Sequence, residues 1–256
     1  MLGAIAGDMI GSPYEADPIK TTEFPLFGPE SRFTDDTVLT VATAFAILTD
    51  GDYAEAYKIF GRMYPLAGYN LMFGKWLAQD ASLPYNSWGN SAAMRVSPVG
   101  FAFDNEAQVL AEAKRSAECT HNHPEGIKGA QATALAVHLA HQSAGRDDIR
   151  YEISHRFGYD LSRTVEEIRP GYQFDASCQG TVPEALVAFL ESQDFEDSIR
   201  LAVSLGGDSD TLACITGGMA HAYYKILPDD IQSELLQRLP QDLHQIVDEF
   251  CAKYSI

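Results

Sequence analysis

Two acidic clusters that also carry threonines lie near opposite ends of this 256-residue chain. The first is Phe33-Thr34-Asp35-Asp36-Thr37, and the second is Gly206-Gly207-Asp208-Ser209-Asp210-Thr211. Each cluster precedes an apolar run with helical spacing, and neither contains a histidine or a cysteine. If the two clusters contribute to one site, residues from both ends of the chain must meet. We therefore predict a single domain over residues 1–256.

Apolar residues recur at helical spacing along most of the chain, and no segment shows the alternation typical of a β-strand. Hydrophobic residues make up 46% of the sequence, which is ample for a sizeable core. These patterns predict an all-α fold with functional loops gathered at one end of its helices. The predicted helices are 38–48, 54–64, 106–119, 124–144, 183–190, 196–205, 211–227 and 243–254.

Local signals set the ends of these helices. Asp35 or Asp36 is placed to cap the helix that begins near Val38. Pro124 and Pro183 suit first-turn positions. Segments 14–31 and 83–90 are predicted loops, and the glycines at positions 3, 7 and 11 would form one smooth stripe for close helix packing.

The formal net charge of −18 disfavours a nucleic-acid backbone or an anionic membrane as the main partner, because both need clustered lysine and arginine. The apolar stretches are too short to cross a bilayer, and the amino-terminal segment lacks the basic region of a signal peptide. Four widely spaced cysteines without a CxxC pair fit free thiols in a reducing compartment. We therefore expect a soluble, cytoplasmic protein.

The two acidic clusters together supply four carboxylates and several hydroxyls. An all-oxygen donor set suits Mg²⁺ or Mn²⁺ and not zinc. For the first cluster alone, a plain helix cap is the better interpretation. The second cluster is stronger, because its glycines allow a tight turn and its two aspartates can converge from a loop. Two ions held side by side usually indicate chemistry on an oxygen-rich substrate.

Three other segments carry candidate polar groups. Glu15 follows the glycine stripe and is predicted to lie in a loop, where an acid can reach into a site. Residues 89–95 offer backbone N–H groups at a helix start, a weak signal for a phosphate cradle. His121 and His123 lack a third nitrogen or sulfur ligand, so a histidine that donates to phosphate or ribose is favoured over zinc binding. His123 is interpreted as part of a surface turn.

Five motifs, taken in order, resemble those of the ADP-ribosylglycohydrolase family. They are Gly-Asp-x-x-Gly-Ser-x-x-Glu at 7–15, Phe-Thr-Asp-Asp-Thr at 33–37, Gly-Asn-Ser-Ala-Ala-Met-Arg-Val-Ser-Pro-Val-Gly at 89–100, Thr-His-Asn-His-Pro-Glu-Gly at 120–126 and Gly-Gly-Asp-Ser-Asp-Thr at 206–211. The resemblance extends from Gly3 to about Tyr224. Ser91 stands where the family often has a second glycine, and the chain is shorter than many members.

The resemblance implies a compact all-α domain of orthogonal helices with a binuclear Mg²⁺ or Mn²⁺ centre at the helix ends. It implies metal ligands at Thr34, Asp35, Asp36, Asp208, Asp210 and Thr211. It implies catalytic roles for Glu15 and Asp35, either of which could take a proton. It implies substrate contacts from Gly89, Asn90, Ser91, Met94, His121 and Gly207. Tyr85 and Trp88 are the candidates for stacking on adenine.

The implied function is metal-dependent hydrolysis of the glycosidic bond between ADP-ribose and an acceptor. The substrate would be an ADP-ribosylated protein or a small ADP-ribosyl conjugate, and arginine, serine and O-acetyl linkages are all compatible with the motifs. Bond cleavage at C1″ of the distal ribose would pass through a state that resembles an oxocarbenium ion. Two alternatives are a non-catalytic ADP-ribose-binding module on the same fold and a metal-dependent phosphohydrolase that acts on the diphosphate.

Overall fold

Fifteen α-helices build the fold in the computed structural model, which describes residues 1–256. A short 3₁₀ helix at Ser12–Tyr14 follows the first α-helix, and the only β-type pairing is an isolated bridge between Gly89 and Ser177. The all-α prediction is therefore confirmed. The helices are α1 (Leu2–Gly11), α2 (Asp35–Leu48), α3 (Tyr53–Met63), α4 (Leu71–Ala78), α5 (Ser91–Met94), α6 (Ser97–Ala102), α7 (Glu106–Glu118), α8 (Pro124–His141), α9 (Arg146–Phe157), α10 (Val165–Ile168), α11 (Cys178–Glu191), α12 (Phe195–Ser204), α13 (Ser209–Tyr224), α14 (Asp229–Arg238) and α15 (Gln241–Tyr254).

All eight predicted helices are present, but two predictions about their ends were wrong. Thr34 caps α2, because the Thr34 side chain accepts the backbone N–H of Asp36. Neither aspartate is the cap. Both aspartates instead occupy the first turn, where the helix dipole favours negative charge. Pro183 lies inside α11 because the cap at Ser177 starts this helix five residues earlier than predicted.

Helix α13 lies at the centre of the molecule. It packs against α1, α2, α5, α6, α8, α11 and α12, and every residue from Ser209 to Ala222 is buried. A helix that is buried on all sides needs small or apolar residues around its whole circumference, which α13 supplies. One core of 69 buried hydrophobic residues surrounds it and draws on residues from Met1 to Phe250. None of the fifteen helices combines the length and apolarity required to cross a lipid bilayer.

The glycine stripe of α1 lies against the backbone of α13, which confirms the predicted close packing. A methyl group at Gly3 would lie 2.3 Å from the carbonyl oxygen of Gly217, and one at Gly7 would lie 2.0 Å from that of Ala213. At Gly11 the corresponding distance is 2.4 Å to the carbonyl oxygen of Ser209. The two helices therefore run antiparallel, and the end of α1 meets the first turn of α13.

We expect Gly7→Ala to lower the free energy of unfolding by about 3 kcal/mol, since the added methyl group would overlap a backbone oxygen in a packed core. The matched control is Gly74→Ala in α4, where an added methyl group meets nothing within 4 Å. The control is expected to be neutral or to raise stability by up to about 1 kcal/mol, because alanine favours helix more than glycine does. Urea denaturation followed by far-ultraviolet circular dichroism measures both. Equal effects of the two substitutions would contradict the proposed packing constraint.

Candidate functional site

The two acidic clusters meet at the junction of α1, α2 and α13. Carboxylate oxygens of Asp8, Asp36 and Asp210 lie within 4.8 Å of one another. The same spacing holds for Glu15, Asp208 and Asp210. Asp210 belongs to both groups, so the site consists of two adjacent sets of carboxylates that share one residue.

Asp8 connects the first acidic cluster to α1 through hydrogen bonds. Its carboxylate accepts the backbone N–H and the hydroxyl of Thr34, at 2.9 and 2.7 Å. It also accepts the backbone N–H of Thr37 at 3.1 Å and the hydroxyl of the same residue. Four donors from the start of α2 thus converge on one buried carboxylate. Asp8 is therefore better suited to hold α2 in place than to bind a ligand, although its oxygens lie close enough to Asp36 and Asp210 to belong to the same acidic group.

The second cluster is held from both sides. The side-chain amide of Asn90 donates to Asp208 at 2.7 Å and to the hydroxyl of Thr181 at 3.1 Å. Lys20 donates to the carbonyl oxygens of Leu205 and Gly206, immediately before the acidic residues. Gly206 has a φ of +63°, a conformation that glycine adopts without strain. The turn that presents the aspartates is thus fixed by contacts from distant parts of the chain.

A cleft of about 160 Å³ opens over these carboxylates. Ten of the residues predicted for the site line it: Glu15, Thr34, Asp35, Asp36, Asn90, Ser91, Met94, Asp208, Asp210 and Thr211. An open groove of about 840 Å³ adjoins the cleft and shares Leu66 and Gly68 with it. The predicted metal-binding, catalytic and part of the predicted substrate-binding residues therefore surround one space.

Burial and mutual repulsion raise the pKa values of Glu15, Asp35, Asp36 and Asp210 in the cleft. Burial is the main cause for Asp36 and Asp210, and the neighbouring aspartates add to it. The same causes raise the pKa of Asp35 to about 8. The pKa of Glu15 is also raised, by partial burial and by Asp208, while Arg32 opposes the shift. Without a cation, these groups can be buried together only if some of them carry protons.

The donor set fits hard divalent cations. Oδ1 of Asp36 is buried without a hydrogen-bond partner, and the hydroxyl of Thr211 lies 3.4 Å from the other oxygen of Asp36. No ion pair of the structure involves Asp36, Asp208 or Asp210. Since the groups at the acidic centre are carboxylate and hydroxyl oxygens, the chemistry agrees with Mg²⁺ or Mn²⁺ and not with zinc.

Three predicted substrate-binding residues lie outside the cleft. Gly207 packs against the ring of Tyr172, where an added methyl group would lie 2.6 Å from Cε1. His121 is buried, and its Nε2 lies beneath Gly89, 3.4 Å from where a methyl group would stand. Gly89 itself lines a separate groove of about 260 Å³.

Both aromatic candidates line that separate groove and not the acidic cleft. Tyr85 contacts the ring of His121, with centroids 5.8 Å apart. Trp88 is half exposed and contacts the ring of His123 at 5.4 Å. His123 is not part of a plain surface turn, because its Nδ1 accepts the backbone N–H of Glu125 and caps α8. The roles of Tyr85 and Trp88 towards a ligand stay predictions.

The sequence interpretation missed four residues that shape the site. Arg32, Asn70 and Phe174 line the cleft, and no spacing or composition signal marked them. Phe174 is an exposed aromatic residue at the cleft, which neither Tyr85 nor Trp88 lines. Asp8 did carry a signal, because it is the single acid in the otherwise apolar or small-residue helix α1.

Comparison with known proteins identifies the fold and the family. The ADP-ribosylglycohydrolase family profile matches residues 1–255. The mouse protein "ADP-ribosylhydrolase ARH3" (Mus musculus) is 26% identical and aligns with 97% of this chain and 91% of its own length. The "ADP-ribosylarginine hydrolase Tri1" of Pseudomonas putida is 26% identical, with 95% and 76% covered.

A solved structure titled "ADP-ribosylglycohydrolase-related protein complex" superposes with a TM-score of 0.72 at 25% identity, covering 99% of this chain and 96% of that one. The fold, the family profile and the curated relatives agree with one another. This chain therefore belongs to the ADP-ribosylglycohydrolase family and is a glycohydrolase enzyme.

Proposed function

We propose that this enzyme hydrolyses the glycosidic bond between ADP-ribose and an acceptor, with two Mg²⁺ or Mn²⁺ ions in the acidic cleft. The observation that carries the proposal is that Asp36, Asp208 and Asp210, from opposite ends of the chain, line one cleft, with Asp210 close to the carboxylates of both clusters. The relatives support the substrate class, since one is named an ADP-ribosylhydrolase and another an ADP-ribosylarginine hydrolase. The proposed substrate is an ADP-ribosylated protein or a small ADP-ribosyl conjugate.

The proposed cation ligands come from two helix starts. They are Thr34, Asp35 and Asp36 at α2, and Asp208, Asp210 and Thr211 at α13. The orphaned Oδ1 of Asp36 and the absence of a basic partner for the aspartates support this assignment. When bound, divalent ions of this kind offset the carboxylate repulsion, orient sugar hydroxyls and lower the pKa of a coordinated water.

The protein groups around the cleft divide the remaining tasks. Ser91 and Met94 line the same cleft as the acids, and we assign them to the distal ribose. Glu15 is exposed at the lip and has a raised pKa, which suits a group that takes a proton from the attacking water. Asp35 is the second candidate for that role, since it lines the same cleft and its pKa is raised to about 8.

The proposal also covers the organisation and the setting of the enzyme. We propose that residues 1–256 act as one domain, which the continuous hydrophobic core supports. We further propose a reducing compartment such as the cytoplasm, which the four free cysteines support.

A panel of defined conjugates tests the reaction. ADP-ribosyl-arginine, ADP-ribosyl-serine and O-acetyl-ADP-ribose would each be incubated with Mg²⁺, with Mn²⁺ or with a chelator. We expect free ADP-ribose from at least one conjugate and only with a cation, because the bond cleaved is at C1″. Chromatography with mass detection identifies the products. AMP together with a ribose 5-phosphate that still carries the acceptor would indicate attack on phosphorus, and binding without release would indicate an ADP-ribose reader.

Asp210→Asn tests the shared carboxylate. We expect turnover to fall by about 100-fold or more and cation affinity to fall with it. Asp210 belongs to both sets of clustered carboxylates, so each set would lose a charged oxygen ligand. Isothermal titration with Mn²⁺ and product assays measure the two effects. Asp104→Asn is the matched control, since it makes the same change at an exposed loop position. Normal cation binding by Asp210→Asn would contradict the proposed site.

The raised carboxyl pKa values predict how pH affects the cation-free enzyme. A carboxyl group whose pKa is higher in the folded than in the unfolded protein stabilises the fold at low pH and loses that contribution as pH rises. For Asp35 the loss spans the interval from its unfolded value near 3.8 to about 8. Thermal unfolding of chelated protein should therefore show a falling Tm from pH 5 to pH 8.

Addition of Mg²⁺ should raise this Tm more at pH 8 than at pH 5, because a cation competes with protons for the same oxygens. Sodium chloride at matched ionic strength is the control for general screening. A Mg²⁺ effect that is equal at both pH values would count against the acidic cleft as the binding site.

A further inference from the structure

Arg95 is a fully buried guanidinium that forms no salt bridge with a carboxylate. Its Nη2 donates to the carbonyl oxygen of Ser116 at 2.9 Å and to the hydroxyl of Thr120 at 2.8 Å. Its central carbon lies 4.0 Å from the centroid of the Tyr57 ring. Burial of an unpaired charge is costly, so a role beyond packing is expected for this side chain.

The hydroxyl of Thr120 links Arg95 to His121. A guanidinium can only donate, so the Thr120 oxygen accepts from Arg95 and keeps its own proton free to donate. Nδ1 of His121, 2.7 Å away, is the strong acceptor beside this proton, and the sulfur of Cys119 is a weak one. Were Nδ1 itself the donor, the Thr120 proton would be left with the weak sulfur acceptor, which is unfavourable. The ring proton of neutral His121 therefore belongs on Nε2.

Nε2 of His121 has no hydrogen-bond partner in the protein, and the atom is fully buried. It lies under Gly89, at the turn that leads from the groove of Tyr85 and Trp88 into Asn90 and the acidic cleft. An N–H left unpaired in the interior is unfavourable. A ligand oxygen that reaches this turn would satisfy it.

We infer that Arg95 and Thr120 are positioning residues that hold His121 as an Nε2–H donor to an oxygen of bound ADP-ribose. The inference rests on the proposed function for the identity of the ligand. Burial and the charge of Arg95 both lower the pKa of His121 well below its usual range, which keeps the ring neutral. Arg95 thus has two effects. Its hydrogen bond to Thr120 leaves the Thr120 proton to be donated to His121, and its charge disfavours a second proton on the imidazole.

Long-range ¹H–¹⁵N correlation spectra distinguish the two neutral tautomers and test the inference without any assay of turnover. The experiment uses the full chain labelled with ¹⁵N-histidine, with His121→Gln to assign the His121 signals among the seven histidines. We expect a single Nε2–H tautomer for His121 in the free protein. We expect saturating ADP-ribose to shift the Nε2 signal and leave the Nδ1 signal nearly in place.

Variants of Thr120 separate positioning from simple packing. Thr120→Val should produce a mixture of tautomers and weaken ADP-ribose binding by about tenfold, the effect of one lost hydrogen bond. Thr120→Ser keeps the hydroxyl and should stay within about twofold of the parent. Thr133→Val is the matched control, because Thr133 is equally buried and its hydroxyl has no partner. Calorimetric titration with ADP-ribose measures the affinities.

Each contrary outcome has a distinct meaning. An Nδ1–H tautomer in the parent protein, or an unchanged tautomer in Thr120→Val, would overturn the inference. An Nε2 signal that stays in place under saturating ADP-ribose would also overturn it, while the proposed hydrolase function would stand. If the parent protein binds no ADP-ribose at all, the proposed function fails and the inference fails with it.

Discussion

The hydrogen bonds to the carboxylate of Asp8 are the interaction on which the site depends. Asp8 is part of α1, which lies in backbone contact with α13, and it accepts four donors from the start of α2. The contact between α1 and α13 fixes α1 relative to the second acidic cluster. The hydrogen bonds of Asp8 fix the first acidic cluster relative to α1. Two segments about 170 residues apart are thereby brought to one place. Loss of either contact would separate them.

The same arrangement explains why so much negative charge is tolerated in the interior. Asp36 and Asp210 lie in the first turns of α2 and α13, where the positive ends of two helix dipoles favour carboxylates. Asp8 is the carboxylate whose oxygens are used by internal donors. Asp36 and Asp210 have few donors and no basic partner, and burial with the neighbouring aspartates raises their pKa values. The fold therefore fixes the position of these carboxylates but leaves their charge to be balanced by cations or protons.

The sequence predicted the helices well because their apolar periodicity reports directly on which faces are buried. It did not identify α6 or α10, which are too short to show a helical period, or α9, in which only Ile149 and Ile153 are buried, and it also did not identify α4 and α14. The acidic residues of the cleft were identified because residue type and motif order carry chemical information. Partners within the site were not, since the bond from Asn90 to Asp208 joins residues 118 positions apart. Such contacts follow from tertiary packing and leave no local pattern in the sequence.

The long segment between α1 and α2 shows how a loop can be positioned without regular structure. Arg200 donates to the carbonyl oxygens of Thr22 and Phe24, and Arg238 donates to those of Gly28 and Ser31. Buried or half-buried carbonyl groups of a loop need donors, and here cationic side chains from α12 and α14 provide them. Because these helices pack on the central core, the loop is fixed at several points along its length. At the start of the segment, the carbonyl oxygen of Tyr14 accepts the hydroxyl of Ser209 in α13, so the backbone next to Glu15 is fixed beside the cleft while the Glu15 side chain stays exposed.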